Sequence, residues 1–235
     1  MHRRTKMISR RMLLKVAVTN AAFGPGVALA ADCGPAVQTE RGPFYPKGEI
    51  PTARELLKFP LDGPAVQDQV IHVGGLVLSQ DCEPVSGARV VIWQADSAGL
   101  YLHPDAIEGA QPNARFLYYA QTMTDRFGAY RFTTLLPSPY KYAGLSRARH
   151  LHFEVWSPLQ GTSTTEMYFA GKEEDQRRSR DRVWLSRDAN LRNALISAPV
   201  DDAVRATGHP AFPLDEFRAY RFDIRFPNTE SNRRP

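Results

Sequence analysis

Apolar positions in this chain come in short bursts rather than in long helical periods. Residues 70–78, 88–94, 117–124, 130–135, 150–156, 164–169 and 220–226 are rich in Val, Ile, Tyr, Phe and Thr, types that suit a pleated, half-buried surface. Turn chemistry separates them at Asp81-Cys82-Glu83-Pro84 with Gly87, at Asp125-Arg126-Phe127-Gly128 and at Pro137-Ser138-Pro139. Short strands with frequent turns predict an all-β fold: a two-sheet β-sandwich with long loops and one or two short helices. Helical patterning is limited to 190–197 and 201–206, and the mixed-charge run 172–182 is expected to be a solvated loop. Residues 31–66, rich in Pro and Gly, read as an extended arm with an apolar knot at Pro43-Phe44-Tyr45-Pro46, which leaves 67–235 for the sandwich.

Composition sharpens this picture. With 235 residues, 43% hydrophobic and 23% charged, the chain has apolar material for one substantial core. No apolar run reaches the ~20 residues of a membrane span. The net charge of +5 and pI near 9.3 invite a nucleic-acid partner. Six of the 30 basic residues, however, lie within residues 1–30, which hold no acid, leaving 24 basic against 25 acidic residues beyond them. The excess belongs to the leader, and the electrostatic case for nucleic acid goes with it.

That leader has the parts of a secretory signal with a twin-arginine start: Ser9-Arg10-Arg11-Met12-Leu13-Leu14-Lys15, a mildly apolar stretch from Val16 to Leu29, and Ala28-Leu29-Ala30 at the end. Residues 1–30 are expected to be a signal peptide cleaved after Ala30, delivering a periplasmic or secreted protein with no stable membrane anchor. Cys33 and Cys82 then face an oxidising space, where their number alone leaves open a bridge or two singly buried thiols.

Candidate chemistry begins at His150-Leu151-His152. Strand alternation puts Leu151, Phe153 and Val155 on one face and both imidazoles on the other, about 7 Å apart at their Cα atoms and close enough to share a metal. Such an ion needs further ligands, and His72, His103 and Asp96 are equally placed by spacing. Tyr101 and Tyr140 stand at loop positions. A phenol becomes a hard anionic ligand only beside a strongly Lewis-acidic ion such as ferric iron.

The order and spacing of these residues carry a resemblance. Trp93-Gln94-Ala95-Asp96-x-x-Gly99-x-Tyr101, Thr124-Asp125-x-x-Gly128-x-Tyr130-x-Phe132-x-Thr134, Pro137-x-Pro139-Tyr140 and Arg147-x-x-His150-Leu151-His152-Phe153 are similar to blocks of the intradiol ring-cleavage dioxygenases. The similarity reaches up to Gly74-Gly75-Leu76 and Pro84-x-x-Gly87-Ala88, and down to Met167-Tyr168-Phe169 and Ala219-Tyr220-Arg221-Phe222-Asp223-Ile224. It implies a β-sandwich and one non-haem Fe(III) held by Tyr101, Tyr140, His150 and His152. The implied reaction takes a small aromatic diol and O2, cleaves between the two hydroxylated carbons and yields a muconic acid. Arg147 matches the family's active-site arginine, and Tyr142, Glu166 and Pro43 fall at substrate-contacting positions. Secreted intradiol-like proteins show a similar cysteine pair, which implies a Cys33–Cys82 bridge. A homodimer is expected, since two-fold homomers are the commonest assembly.

Two positions depart from the protocatechuate 3,4-dioxygenase pattern, to which the chain is closer in size than to catechol 1,2-dioxygenases. Tyr142 stands where tryptophan is usual, and Glu166 where glutamine is usual. A carboxylate beside Arg147 competes with a substrate carboxylate for the same cation, which makes catechol or hydroxyquinol at least as fitting as protocatechuate. Rival readings are a catalytically silent exported β-sandwich binding module, and a copper or zinc enzyme using His150, His152 and His103.

Overall fold

The computed structural model describes residues 33–58, 70–106, 111–201 and 217–228. The leader at 1–30, the end of the arm and the helix expected at 201–206, beyond its first residue, lie outside them.

The protein is a mixed β-sandwich. One sheet is built around β1 (Val70–Leu78), which pairs antiparallel with β4 (Ala129–Leu135) and parallel, in succession along its other edge, with β10 (Arg218–Arg221) and β11 (Ile224–Arg225). The other sheet has five strands in the order β3 (Tyr119–Met123), β2 (Arg89–Trp93), β7 (His150–Ser157), β8 (Gly161–Phe169) and β9 (Ile196–Ser197). Val73, Val77 and Phe132 of the first sheet meet Val90, Ile92, Leu151, Phe153, Val155 and Met167 of the second in one buried cluster. Burying such side chains stabilises a fold by ~1.5–3 kcal/mol each relative to exposure.

Gly75 marks the place where β1 changes partner from β10 to β11. A Cβ there would lie 2.2 Å from the Phe222 carbonyl oxygen, so only glycine lets the crossing backbone approach. The Leu76 N–H donates to Asp223 at 2.9 Å and Tyr130 Oη donates to the Phe222 carbonyl at 2.5 Å, fixing the crossover.

Alternation along β7 sends Leu151, Phe153 and Val155 into the core, as the pattern predicts. Its polar face is buried too, because the arm crosses it. Arg41 and Tyr45 donate to Glu154 at 2.5 and 2.8 Å, with Glu154 itself only 1% exposed. The arm adds isolated bridges from Thr52 to Gln121, Glu55 to Thr133 and Leu57 to Phe116.

Three elements differ from the sequence expectation. The run expected to be a solvated loop forms α1 (Lys172–Arg178), with Glu173, Glu174 and Asp175 in the first turn and Arg177 and Arg178 in the last. Those charges complement the helix dipole. Glu174 and Arg178 are buried: Glu174 faces Arg149 at 3.7 Å, and Arg178 donates to the Phe169 carbonyl and Asp175. Mixed charge here is the seat of the helix, and Arg149 is its partner on the approach to β7. The helix expected at 190–197 is a single 3-10 turn (Arg192–Leu195) running into β9, which pairs parallel with β8 and so takes the extended state. The third difference is a hairpin of β5 (Tyr140–Tyr142) and β6 (Leu145–Arg147), each too short to leave a periodic signal. A further short helix, α2 (Arg182–Leu185), is capped by Asp181, which accepts from the Trp184 N–H at 3.0 Å.

Candidate metal centre

Three strands, a loop and a hairpin converge at one end of the five-stranded sheet. β7 contributes His150 and His152, each about 2% exposed. Cross-strand register places Trp93 beside His152 from β2, Glu166 beside His152 from β8, and Tyr168 beside His150. The Trp93 ring lies over the His152 ring at 4.8 Å and 4°, fixing the plane of the imidazole.

Tyr101 is delivered by the loop after β2. Asp96 accepts from the Ala98 and Leu100 N–H groups at 2.8 and 3.0 Å and from Tyr118 Oη at 2.7 Å. Gly99 adopts φ +82, and a Cβ there would sit 3.0 Å from the Pro139 oxygen. The spacing Asp96-x-x-Gly99-x-Tyr101 is therefore a self-bonded loop that packs against the strand carrying Tyr140. The β5–β6 hairpin supplies Tyr140 and, directly opposite in the ladder, Arg147. Its turn residues Ala143 and Gly144 have φ 47 and 76, the two left-handed positions of a tight hairpin.

The four residues put forward as metal ligands are brought together. His150 Nδ1 donates to the Ala148 carbonyl at 2.7 Å, leaving its Nε2 lone pair free. Nε2 lies 3.1 Å from His152 Nε2 and 3.5 Å from Tyr101 Oη. The Tyr140 ring is 5.3 Å from that of Tyr101 and 5.6 Å from that of His150. Donors ~3 Å apart are spaced as two ligands of one ion at bonds near 2.1 Å.

Charge and burial favour a cation at this point. Burial pushes the Tyr101 phenol well up and Tyr140 up to about 12, against the pull of Arg147 on the latter. Burial holds His152 down to about 4 and pushes His150 well below the ordinary imidazole range, so both imidazoles are neutral near pH 7. His152 Nδ1 is buried with no hydrogen-bond partner, and its anionic neighbour is Glu166 Oε1 at 3.6 Å. A proton on Nδ1 is favoured by that carboxylate, which turns the Nε2 lone pair toward the Nε2 of His150. Two lone pairs so aimed need a cation between them. The donor set fits a hard, strongly charged metal that displaces phenolic protons on binding.

Glu166 is the centre of the charged surroundings. It accepts from Tyr168 Oη at 2.6 Å, from Arg187 at 2.6 Å and from Arg147 at 3.3 Å. Burial raises its pKa, and the imidazoles together with Arg147 and Arg187 overcome this and keep it well below the usual carboxylate range. Arg147 also donates to Asp181 at 3.3 Å and to Tyr140 Oη at 3.5 Å. The sequence reading missed Asp181 and Arg187, which reach the site from α2 and the segment after it. The only local sign of either is the capping position of Asp181.

The remaining candidates are placed elsewhere. His72 bonds Thr133 in the first sheet, Asp96 is committed to its loop, and His103 packs on Phe44 at 5.7 Å and accepts from the Asp105 N–H. Among the described residues, the close group of His, Cys, Asp and Glu side chains is His150, His152 and Glu166. The copper or zinc arrangement with His103 is not assembled. Pro43 is exposed, while Phe44 beside it stacks on Tyr101 at 4.7 Å and meets Tyr142 edge-on at 4.7 Å. Cys33 and Cys82 form a disulfide.

A β-sandwich that gathers two tyrosines and two histidines at a buried point defines a class of protein, and the comparisons agree with it. Residues 41–227 match the family model described as Dioxygenase, and the chain belongs to the intradiol ring-cleavage dioxygenase family. It is 34% identical over 131 residues to the protocatechuate 3,4-dioxygenase beta chain of Burkholderia cepacia, covering 54% of each chain. It is 30% identical over 147 residues to hydroxyquinol 1,2-dioxygenase of Corynebacterium glutamicum, covering 57% of this chain and 46% of that one. The match thus spans about half the length of these curated relatives, 54% and 46%. In fold it resembles the dioxygenase domain of a dioxygenase–carbohydrate-binding fusion from Streptomyces sp. SirexAA-E, at TM-score 0.55 and 22% identity over 83% of this chain and 99% of that one.

Proposed function

We propose that the protein is an intradiol dioxygenase that holds one non-haem Fe(III) through Tyr101, Tyr140, His150 and His152 and cleaves a catechol-type ring with O2. The observation that carries this reading is the approach of the two Nε2 atoms to 3.1 Å with Tyr101 Oη 3.5 Å from one of them. Bound ferric iron supplies the Lewis acidity that stabilises phenolate and catecholate, and the redox centre that O2 chemistry requires. The chain's own residues do the rest. With the metal bound and its own phenolic proton displaced, Tyr140 Oη, held near Arg147, would be the base that takes a proton from the incoming diol. Arg147, its charge already matched by Glu166 and Asp181, stands 3.5 Å from Tyr140 Oη, where its N–H groups can donate to an oxygen of the bound diol. Phe44, Tyr142 and Trp93 wall the site with aromatic surface, excluding water.

The substrate ring is one without its own carboxylate, because Arg147 is already offset by Glu166 and Asp181, both at 3.3 Å. Iron analysis and a visible spectrum test the metal: about one iron per chain and a tyrosinate charge-transfer band are expected. Tyr101→Phe and Tyr140→Phe should each weaken or shift that band, and an unchanged spectrum in both removes the ligand assignment.

We also propose export by the twin-arginine route to the periplasm or beyond, supported by the leader's residue pattern and by the disulfide. Arg10→Lys with Arg11→Lys should leave the precursor in the cytoplasm on fractionation; normal export of the double variant rules the route out.

A further inference from the structure

A cleft of about 740 Å³ lies between the β5–β6 hairpin and α1 and borders the candidate site at Tyr140 and Arg147. That volume lies in the range of about 300–1,000 Å³ that accommodates drug-sized ligands, far more than a lone diol ring fills. Part of its lining is apolar, with Ala98, Leu100 and Pro139 on the loop side.

The charges along the cleft are unevenly matched. At the inner end Arg147 has two carboxylates of its own, Glu166 and Asp181. Arg177 is shared between Glu173 and Glu174 at 3.4 Å each. Lys141 and Arg180 also line the cleft and are exposed, and neither has an ion-pair partner among the described residues. Glu173, the acid in the lining, is engaged with Arg177. Free positive charge is therefore found toward the outer part of the cleft and is cancelled at the ring end.

We infer that the preferred substrates are catechols bearing an anionic group on a side chain, the diol at the metal centre and the anion between Lys141 and Arg180. This rests on the dioxygenase reading and names its substrate class. A carboxylate on the ring itself meets Glu166 and Asp181. The same carboxylate carried a few bonds away passes the apolar wall and reaches unpaired cations. Partly exposed pairs of this kind contribute modestly and are weakened by salt, so the effect belongs in specificity rather than in raw rate.

The test compares 3,4-dihydroxycinnamate with its uncharged methyl ester by oxygen uptake, using the iron-loaded full chain, with catechol and protocatechuate alongside. In wild type the acid-to-ester ratio of kcat/KM should be about 5- to 10-fold, falling toward unity in Lys141→Gln/Arg180→Gln and with added salt. Turnover of both compounds with a ratio near one, or a ratio the double variant leaves unchanged, overturns the inference while leaving the dioxygenase intact. Failure of every catechol, catechol itself included, overturns the dioxygenase reading instead. Calorimetric binding of acid and ester to wild type and double variant then decides the cleft: loss of an acid preference in the variant supports it, and equal binding by wild type refutes it.

Discussion

Glu166 illustrates how one side chain can set the character of a site. It is 2% exposed, touches Arg147, Arg187 and Tyr168, and lies 3.6 Å from an imidazole nitrogen that has no hydrogen-bond partner. A carboxylate in this position orients His152 and neutralises the cations that a ring-bound carboxylate needs. Glu166→Gln removes that charge while keeping an acceptor for Tyr168. The ratio of kcat/KM for protocatechuate against catechol should then rise at least 10-fold, the scale of breaking part of a buried pair worth ~3–5 kcal/mol. A wild-type enzyme that already prefers protocatechuate would show that Glu166 does not oppose a ring carboxylate. The substitution also leaves Arg187 without its buried partner, so a fall in stability is expected to accompany the change in specificity.

Elements act here by holding single side chains in place. α2 has only four residues, yet its cap Asp181 is fully buried and accepts from the Trp184 N–H, the Ala148 N–H and Arg147. The helix start, the approach to β7 and the position of Arg147 therefore depend on one carboxylate. Asp181→Asn retains much of the capping geometry but halves the anionic compensation of Arg147. Stability should fall by about 1–3 kcal/mol, the scale of weakening hydrogen bonds to a buried charged group, and thermal unfolding measures it. Protocatechuate turnover should rise relative to catechol in the same variant. A stability loss with an unaltered substrate ratio would confine Asp181 to a structural part. The β5–β6 hairpin works similarly: two three-residue strands bring Tyr140 and Arg147 face to face across a single ladder rung.

For the whole molecule, the arm and the disulfide decide whether the site is closed. Phe44 stacks on Tyr101 while Arg41 and Tyr45 anchor the arm to Glu154 on β7, so the arm that covers the candidate metal centre is held by residues 113 and 109 positions away in sequence. The bond from Cys33 to Cys82, 49 residues apart, ties the start of that arm to the turn after β1. Closing such a loop stabilises a fold by ~4 kcal/mol in the chain-entropy model. Cys33→Ser/Cys82→Ser should lower the unfolding midpoint and make the arm accessible to protease, whereas iron bound by the folded double variant should keep its visible band. An unaltered midpoint would mean that the bond adds nothing to the arm's attachment.

The strand runs, the two-sheet class and the common face of His150 and His152 are all legible in the sequence, because each is a local pattern of side-chain alternation, whereas Asp96, a candidate ligand by residue type, proved to be bonded into its own loop. Local patterns could not determine that α1 would form from a charged run, since its partners Arg149, Phe169 and Trp184 are supplied by packing. Nor could they select Asp181 and Arg187 as neighbours of Arg147 and Glu166, or Phe44 rather than Pro43 as the arm residue against Tyr101. The burial of the polar face of β7 has the same origin. Periodicity reports which residues share a face, but what covers that face depends on contacts between distant segments, and those exist only once the two sheets and the arm have packed together.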